Sequence, residues 1–282
     1  MSYKEKSPKS PESSGQRSDQ HSDQSFAQHS EQSSAQHSNQ SSAQSLSAQT
    51  FSFQPIGVIR SCYQQKFGIP RQPSLTTADE SELELLPPFN HESTVKGLAE
   101  FSHIWIQFIF HQTLAEGWRP TIRPPKLGGK KRVGVFATRS THRPNPLGLS
   151  VVRLKEIVST SKKLVLKLGS ADLLNGTPVI DIKPYLPYVD SVPQALGSFT
   201  THPPPLKEIQ FSAQALQQCL EYQTRTGRDI QTLIAEVLSQ DPRPPYLVDS
   251  TYRRHGVLLW DMNVVWENHG DYFWVMHLES PA

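Results

Sequence analysis

The sequence predicts a mainly β domain followed by a small α+β domain, with a disordered tail in front. Three observations predict it. Composition switches abruptly at Phe51. Beyond that point short, often alternating apolar runs are separated by Pro- and Gly-rich turns, which is the pattern of strands. Only after residue 205 does a helical period take over. At 282 residues the chain is long enough for one large or two modest hydrophobic cores. The expected division is tail 1–50, β domain 51–200 and α+β domain 201–282.

Residues 1–50 are dominated by Ser, Gln, His and Ala, and from Gln20 an eight-residue unit, Gln-His-Ser-x-Gln-Ser-x-Ala, runs three times to Ala43. With almost no large apolar side chains, such a segment cannot bury enough surface to offset its ordering entropy. His21, His29 and His37 recur every eight residues. A weak metal-binding or polymerising role is open to them, beside a plain low-complexity tail.

The first strand is expected from Phe51 to about Ser61, on Phe51, Phe53, Ile56, Val58 and Ile59. A loop at 66–73 follows, in which Gly68 permits unusual backbone angles while Pro70 and Pro73 bracket Arg71 and Gln72. Residues 79–88 alternate acidic and apolar side chains, as a half-exposed strand does. The run 98–112 is apolar enough for a central strand and ends on His111 and Gln112, which suit either a site at a strand end or a packed histidine. His103 and His111 would share a face but lie about 26 Å apart, too far for one metal.

Residues 118–132 gather Arg119, Arg123, Lys126, Lys130, Lys131 and Arg132 in a loop punctuated by Pro and Gly beside Trp118. This is the strongest basic patch. It suits phosphate backbones, and it is equally what a solvated charge run looks like. From Val133 to Phe136 another strand is expected, delivering Thr138, Arg139, Ser140, His142, Arg143 and Asn145 onto a segment stiffened by Pro144 and Pro146. A restricted backbone loses less entropy when it binds, so this is either a rigid polar wall or an ordinary proline-rich surface loop.

Strands are expected near 150–158 and 163–168. At 172–188, Asn175-Gly176 signals a turn into a strand with Asp181 and Lys183 on one face and Ile180 and Ile182 on the other, before Pro184 and Pro187 fix Tyr185 and Tyr188. His-Pro-Pro-Pro at 202–205 reads as a stiff linker. One helix is expected on Leu216, Cys219 and Leu220, and a second on Ile230, Leu233, Ile234, Val237 and Leu238, capped by Asp229. The runs 256–266 and 272–277 read as a β-hairpin joined through Asn268 to Gly270.

Several classes are excluded. No glycine-rich dinucleotide or phosphate-loop signature follows a strand, and no His, Cys and Asp group has metal-ligand spacing. Two cysteines, Cys62 and Cys219, make no disulfide framework and fit a reducing compartment. The first residues lack the apolar core of a secretory signal and no run is long enough to span a membrane, so a cytoplasmic protein is expected. Net charge is +2, and beyond residue 50 the remaining 24 basic and 21 acidic residues leave +3, so basic character is local. Residue chemistry alone gives a mostly β domain with ligand groups on proline-stiffened loops, suited to an anionic or nucleotide-like ligand.

Taken together, the motifs Phe-Gly-Ile-Pro-Arg-Gln (67–72), Phe-His-Gln (110–112), Val-Phe-Ala-Thr-Arg-Ser…Arg-Pro-Asn-Pro-Leu-Gly-Leu-Ser (135–150), Asp-Leu-Leu-Asn-Gly-Thr-Pro-Val-Ile-Asp-Ile-Lys-Pro-Tyr-Leu-Pro-Tyr (172–188) and Asp-Pro-Arg-Pro-Pro-Tyr (241–246) make the chain closely resemble the TsaA-like (YaeB/TrmO) family of bacterial tRNA methyltransferases. The resemblance covers about residues 51–280. It implies a β-barrel in place of a Rossmann sheet, S-adenosylmethionine as cofactor, a homodimer, and methylation of N6 in N6-threonylcarbamoyladenosine at position 37 of threonine tRNAs. It carries over as cofactor contacts Pro70, Arg71, Gln72, His111, Gln112, Arg139, Leu149 and Asp172, Leu173, Leu174 and Asn175. Many relatives have Asp where this chain has Asn175, so the resemblance carries over a backbone contact there but not one that depends on a carboxylate.

For the chemistry, Asp181 is the first candidate for the base and Asp172 the second, with Lys183 and Tyr185 as orienting groups. For tRNA the candidates are Arg119, Arg123, Lys126, Lys130, Lys131, Arg132, His142, Arg143 and Arg243. Two rivals come from other classes. A non-catalytic RNA-binding adaptor would share the basic loop without needing the motifs at 67–72 and 172–175, and a metal-dependent hydrolase would need histidines less scattered than these eleven.

Overall fold

The structure, a computed structural model, describes residues 49–70, 72–73, 75–198, 205–244, 247 and 251–281. The expected disorder of the tail, its repeat histidines and most of the 202–205 linker lie outside the described residues. Residues 53–282 form one compact unit; of the other, 1–52, only 49–52 are described and they carry no regular structure.

The chain runs through β1 (Gly57–Arg60), β2 (Ser81–Leu85) and β3 (His103–Ile109), then a two-stranded ribbon of β4 (Thr121–Ile122) and β5 (Val133–Gly134). It continues as β6 (Leu147–Ser159), β7 (Leu164–Leu168) and β8 (Pro178–Pro184). Six of these strands close into a barrel in the order β1-β2-β7-β6-β3-β8, with antiparallel neighbours throughout. Closure leaves no unpaired edge for another chain to extend.

Alternation fills the barrel. Ile104, Ile106 and Phe108 of β3 point inward to meet Leu83, Val152, Leu164, Leu166 and Leu168, while Trp105, Gln107 and Ile109 take the opposite face. Each of those inward aliphatic side chains contributes about 1.5–3 kcal/mol on burial.

After the barrel come β9 (Glu208–Phe211), α1 (Ala213–Thr226), α2 (Ile230–Ser239), β10 (Arg254–Leu259), β11 (Met262–Asn268) and β12 (Tyr272–Glu279). The four strands form one sheet, β10-β11-β12-β9. The two helices and the sheet share a second core around Trp266, Phe273, Ile234 and Leu238. Ser212 accepts the Ala215 amide to cap α1, and Asp229 accepts the Thr232 amide to cap α2, as expected.

Several expectations are corrected. The first strand begins at Gly57, and Phe53 stands 62 % exposed ahead of it. The strand expected from Val133 is two residues long and breaks into a 3₁₀ turn at Val135–Ala137. The buried face of α1 is Ala215, Cys219 and Tyr222, leaving Leu216 and Leu220 exposed. The run 256–266 is itself a hairpin, turned at Trp260, whose φ is 51°. A fourth strand, β9, adds parallel to β12, a long-range pairing that local periodicity does not reveal.

The two cores meet along one segment. Cys62 and Tyr63 are buried in the second core, with Phe67, Ile69 and Ala78 packed against it. A Cβ on Gly68 would lie 2.4 Å from Val257 Cγ2, and its φ of +91° favours glycine as well. Glu236 of α2 accepts the amides of Thr77 at 2.7 Å and Ala78 at 3.0 Å. The C-terminal helix therefore braces the loop that follows β1.

Candidate active site

Four segments converge on a cavity of about 540 Å³: the loop after β1, the end of β3 with its following turn, the stretch from Thr138 to Ser150, and the loop before β8. This volume is in the range of small-molecule sites. Ile69, Phe108, Phe110, Leu147 and Leu173 give it apolar walls, and Lys66, Gln72, His111, Gln112, Arg139 and Asp172 its polar groups.

The loop before β8 is fixed from several sides. Ser61 Oγ donates to Leu173 O at 2.7 Å, and Asn175 N donates to Tyr63 O at 2.8 Å. Asp79, fully buried, accepts Ala171 N and the Thr76 hydroxyl, each at 2.9 Å. Burial pushes the Asp79 carboxyl above the ordinary carboxylate range even though both bonds pull it down.

Asp172 is the ionisable group of greatest consequence in the cavity. Ser150 Oγ donates to its Oδ1 at 2.7 Å. Burial pushes its carboxyl up, against that hydrogen bond and the pull of the Arg139 charge. Such a carboxylate is a stronger proton acceptor than an exposed one. Arg139 is held in turn by a hydrogen bond to Gln72 Oε1 across the cavity.

The close approach of β6 to β3 needs glycine. A Cβ on Gly148 would sit 2.2 Å from Phe108 Cζ, inside a ring that forms part of the wall. At the rim, Glu116 gathers His142 Nε2 at 2.9 Å, Arg119 at 3.5 Å and Lys66 at 3.6 Å. His142 foremost, and Lys66 with it, hold the Glu116 carboxyl below its usual range.

Nine of the eleven expected cofactor contacts line this cavity: Pro70, Gln72, His111, Gln112, Arg139, Leu149, Asp172, Leu173 and Leu174. Arg71 lies outside the described residues. Asn175 does not line the cavity; its amide nitrogen donates to Gln64 Oε1 at 3.1 Å and its oxygen accepts the Ser61 amide at 3.3 Å. A carboxylate could not make the first of these bonds.

The expected catalytic set is divided. Asp172 is in the wall, whereas Asp181, Lys183 and Tyr185 are not among the lining residues. Across the barrel Leu149 pairs with Gln107 and Gln107 with Asp181, so Asp181 lies two strands from the Leu149 wall. Its side chain is 47 % exposed, 3.4 Å from Lys183 Nζ and from Gln107 Nε2. Tyr185 stacks at a tilt on Trp105, with centroids 5.9 Å apart.

The expected tRNA contacts divide as well. Arg119, Arg123, Lys130, Lys131 and Arg132 are exposed; of Lys126 only the backbone, in the turn Pro125–Leu127, is described. His142 is engaged with Glu116, and Arg143 donates to Thr138 O at 2.8 Å and Val135 O at 3.3 Å, so both are structural ties of the segment. Arg243 is a correction. It is 2 % exposed, doubly bonded to Asp241 at 2.8 Å and stacked 4.8 Å from the Phe273 centroid, which removes it from any surface. Sequence reasoning missed Lys66, Trp105, Phe108, Phe110, Leu147 and Ser150 in the lining. Ser150 had left a signal, a polar residue at an inward position of an apolar strand.

The model of the tRNA-methyltransferase O N-terminal domain matches residues 58–191, and that of the TrmO C-terminal domain matches 204–281. The chain is 49 % identical over 232 residues to the tRNA (adenine(37)-N6)-methyltransferase of Escherichia coli, covering 82 % of this chain and 98 % of that one. The chain belongs to the TrmO family. A putative S-adenosylmethionine-dependent methyltransferase of Pseudomonas aeruginosa is 48 % identical over 217 residues, covering 77 % of this chain and 92 % of the relative. The crystal structure of TrmO from the same organism superposes with a TM-score of 0.71 at 42 % identity, covering 83 % of this chain and 99 % of that one. The matched TrmO N-terminal region contains the whole cavity. Among the described residues no group of three His, Cys, Asp or Glu could hold a metal, and no helix is long and apolar enough to cross a membrane.

Proposed function

We propose that this TrmO-family chain transfers the methyl group of S-adenosylmethionine to N6 of N6-threonylcarbamoyladenosine at position 37 of threonine tRNAs. The observation that carries this reading is the cavity, in which residues of the family motifs join apolar walls to a desolvated carboxylate. Those residues fit the cofactor. Phe110, Leu147, Leu149 and Leu173 would take its adenine, and Arg139 with Lys66 its carboxylate. The cofactor supplies an electrophilic sulfonium methyl.

The work left to the protein is orientation and proton removal. Holding the reacting atoms in line is worth about 7–11 kcal/mol. The ureido-adenine nitrogen carries a proton and is delocalised, so a base is needed. Burial and the Ser150 hydrogen bond support Asp172 ahead of Asp181 as the base, and in this reading Asp172 accepts the proton. Asp181 and Lys183, on β8, orient the threonylcarbamoyl group together with Tyr185. The basic residues from Arg119 to Arg132 hold phosphates.

In this reading 51–200 carries the chemistry and 201–282 braces the loop after β1. The chain works as a homodimer in the cytoplasm. Support for the dimer is the exposed apolar run after β8, where Tyr188, Val189, Val192 and Leu196 are 85, 58, 65 and 98 % exposed. Support for the compartment is that both cysteines are free and buried.

Isothermal titration with S-adenosylmethionine separates this enzyme from an RNA-binding adaptor. Saturable one-to-one binding is expected, weakened at least tenfold in Arg139→Ala by loss of a charge-assisted contact. No heat of binding, with tRNA still bound, would favour the adaptor.

A further inference from the structure

The ribbon of β4 and β5 does more than carry charge. Its tip is the basic loop 123–132, and its base is tied to the 138–143 segment that lines the cavity: Val135 N donates to Pro120 O at 3.0 Å, and Arg119 N donates to His142 O at 3.2 Å. At that base two large aromatics face solvent, Phe136 at 77 % exposure and Trp118 at 56 %. Both rings flank the cationic stretch 119–132, one before β4 and one directly after β5, and large aromatics this exposed suit a contact surface.

Phe136 is not on a loose loop. It is the middle residue of a 3₁₀ turn whose first residue, Val135, is 2 % exposed. The carbonyl of Val135 accepts both the amide and the hydroxyl of Thr138, at 3.1 and 2.8 Å. Arg143 bonds to the carbonyls of Val135 and Thr138, and its guanidinium lies 5.8 Å from the Phe136 centroid. Thr138, Arg139 and Arg143 all line the cavity, while Phe136 does not. A rigid ring is thus presented just outside the wall of the site, with cations further out along the same ribbon.

We propose that Phe136 is a stacking surface for an unpaired base flanking the adenosine that enters the cavity, with Trp118 extending it. The proposal rests on the function given above. A base has a π-face whatever its identity, so a fixed aromatic beside the cavity accepts the neighbouring nucleotide without selecting its sequence, while the cationic tip holds the backbone. Arg143 keeps the ring in place by cation–π contact and is a positioning residue.

The test is equilibrium binding of two RNAs of equal length, an unmodified threonine anticodon stem-loop and a fully paired duplex, to wild type, Phe136→Ala, Phe136→Leu and Phe136→Trp. Wild type and Phe136→Trp are expected to prefer the stem-loop. Phe136→Ala and Phe136→Leu are expected to bind it about tenfold or more weakly, with duplex binding and S-adenosylmethionine titration unchanged. Stem-loop affinity unchanged in Phe136→Ala, or fully retained in Phe136→Leu, would overturn the proposal. So would a Phe136→Ala variant whose dimer dissociates in sedimentation while each site binds RNA normally, because the ring would then be covered by a second copy. If wild type methylates no tRNA but keeps its stem-loop preference, the enzymatic reading fails and the stacking surface survives; methylation with no effect of Phe136 fails only the latter.

Discussion

Asp172→Asn is expected to lower kcat by about 10²- to 10⁴-fold, the usual contribution of a positioned general base. Asn keeps the shape and still accepts the Ser150 hydroxyl, so the loop before β8 stays in place and the loss reports chemistry. The pH profile makes the test specific. The base works deprotonated, and burial raises the Asp172 carboxyl, so wild-type kcat falls as pH drops through a value above the ordinary Asp range. Asp172→Asn lacks that limb. Asp181→Asn should retain the limb and raise the KM for tRNA more than it lowers kcat, because its side chain is half-exposed, outside the cavity wall, and orients the threonylcarbamoyl group without taking the proton. If Asp181→Asn loses turnover at saturating cofactor and Asp172→Asn does not, the two roles are interchanged.

Neutralising the ribbon tip as Lys130→Gln, Lys131→Gln and Arg132→Gln is expected to weaken tRNA binding by at least tenfold at physiological salt. Each phosphate contact contributes about 0.7 to 0.9 to the slope of log K against log salt, so the slope becomes shallower by about two to three. All three side chains are exposed and none lines the cavity, so S-adenosylmethionine affinity should not move. Binding measured from low to moderate salt checks this. An unchanged slope would take the tip out of the RNA interface.

How much of this was legible in sequence depends on how local the cause was. Alternation in β2, β3 and β7 follows from one face being buried, and the five apolar positions of α2 follow from a helix lying on a sheet; both patterns stand in the residues themselves. Barrel closure does not, because β1 joins β8 more than a hundred residues later, and nothing around Gly57 names Val179 as its partner. The helix expected on Leu216, Cys219 and Leu220 forms, but only Cys219 of the three is buried, because position on the helix and not hydropathy decides what is covered.

The site divides along the same line. Proline-stiffened motifs pointed to most of its walls through family resemblance, but chemistry alone could not rank Asp172 above Asp181. Their difference is burial, a property of the surrounding barrel. Arg243 shows the reverse error: in sequence it is a cation after a helix, and in the fold its charge is satisfied by Asp241 two residues away and covered by Phe273. Trp105 and Phe108 were taken as strand residues, as they are, yet both also line the cavity.

The central claim is tested most directly by nucleoside mass spectrometry of threonine tRNA incubated with the purified protein and S-adenosylmethionine, beside the same tRNA lacking the threonylcarbamoyl group. The account predicts one added methyl on N6-threonylcarbamoyladenosine and none on unmodified adenosine. A tRNA whose threonylcarbamoyl adenosine gains no methyl, or methylation that ignores the threonylcarbamoyl group, would contradict it.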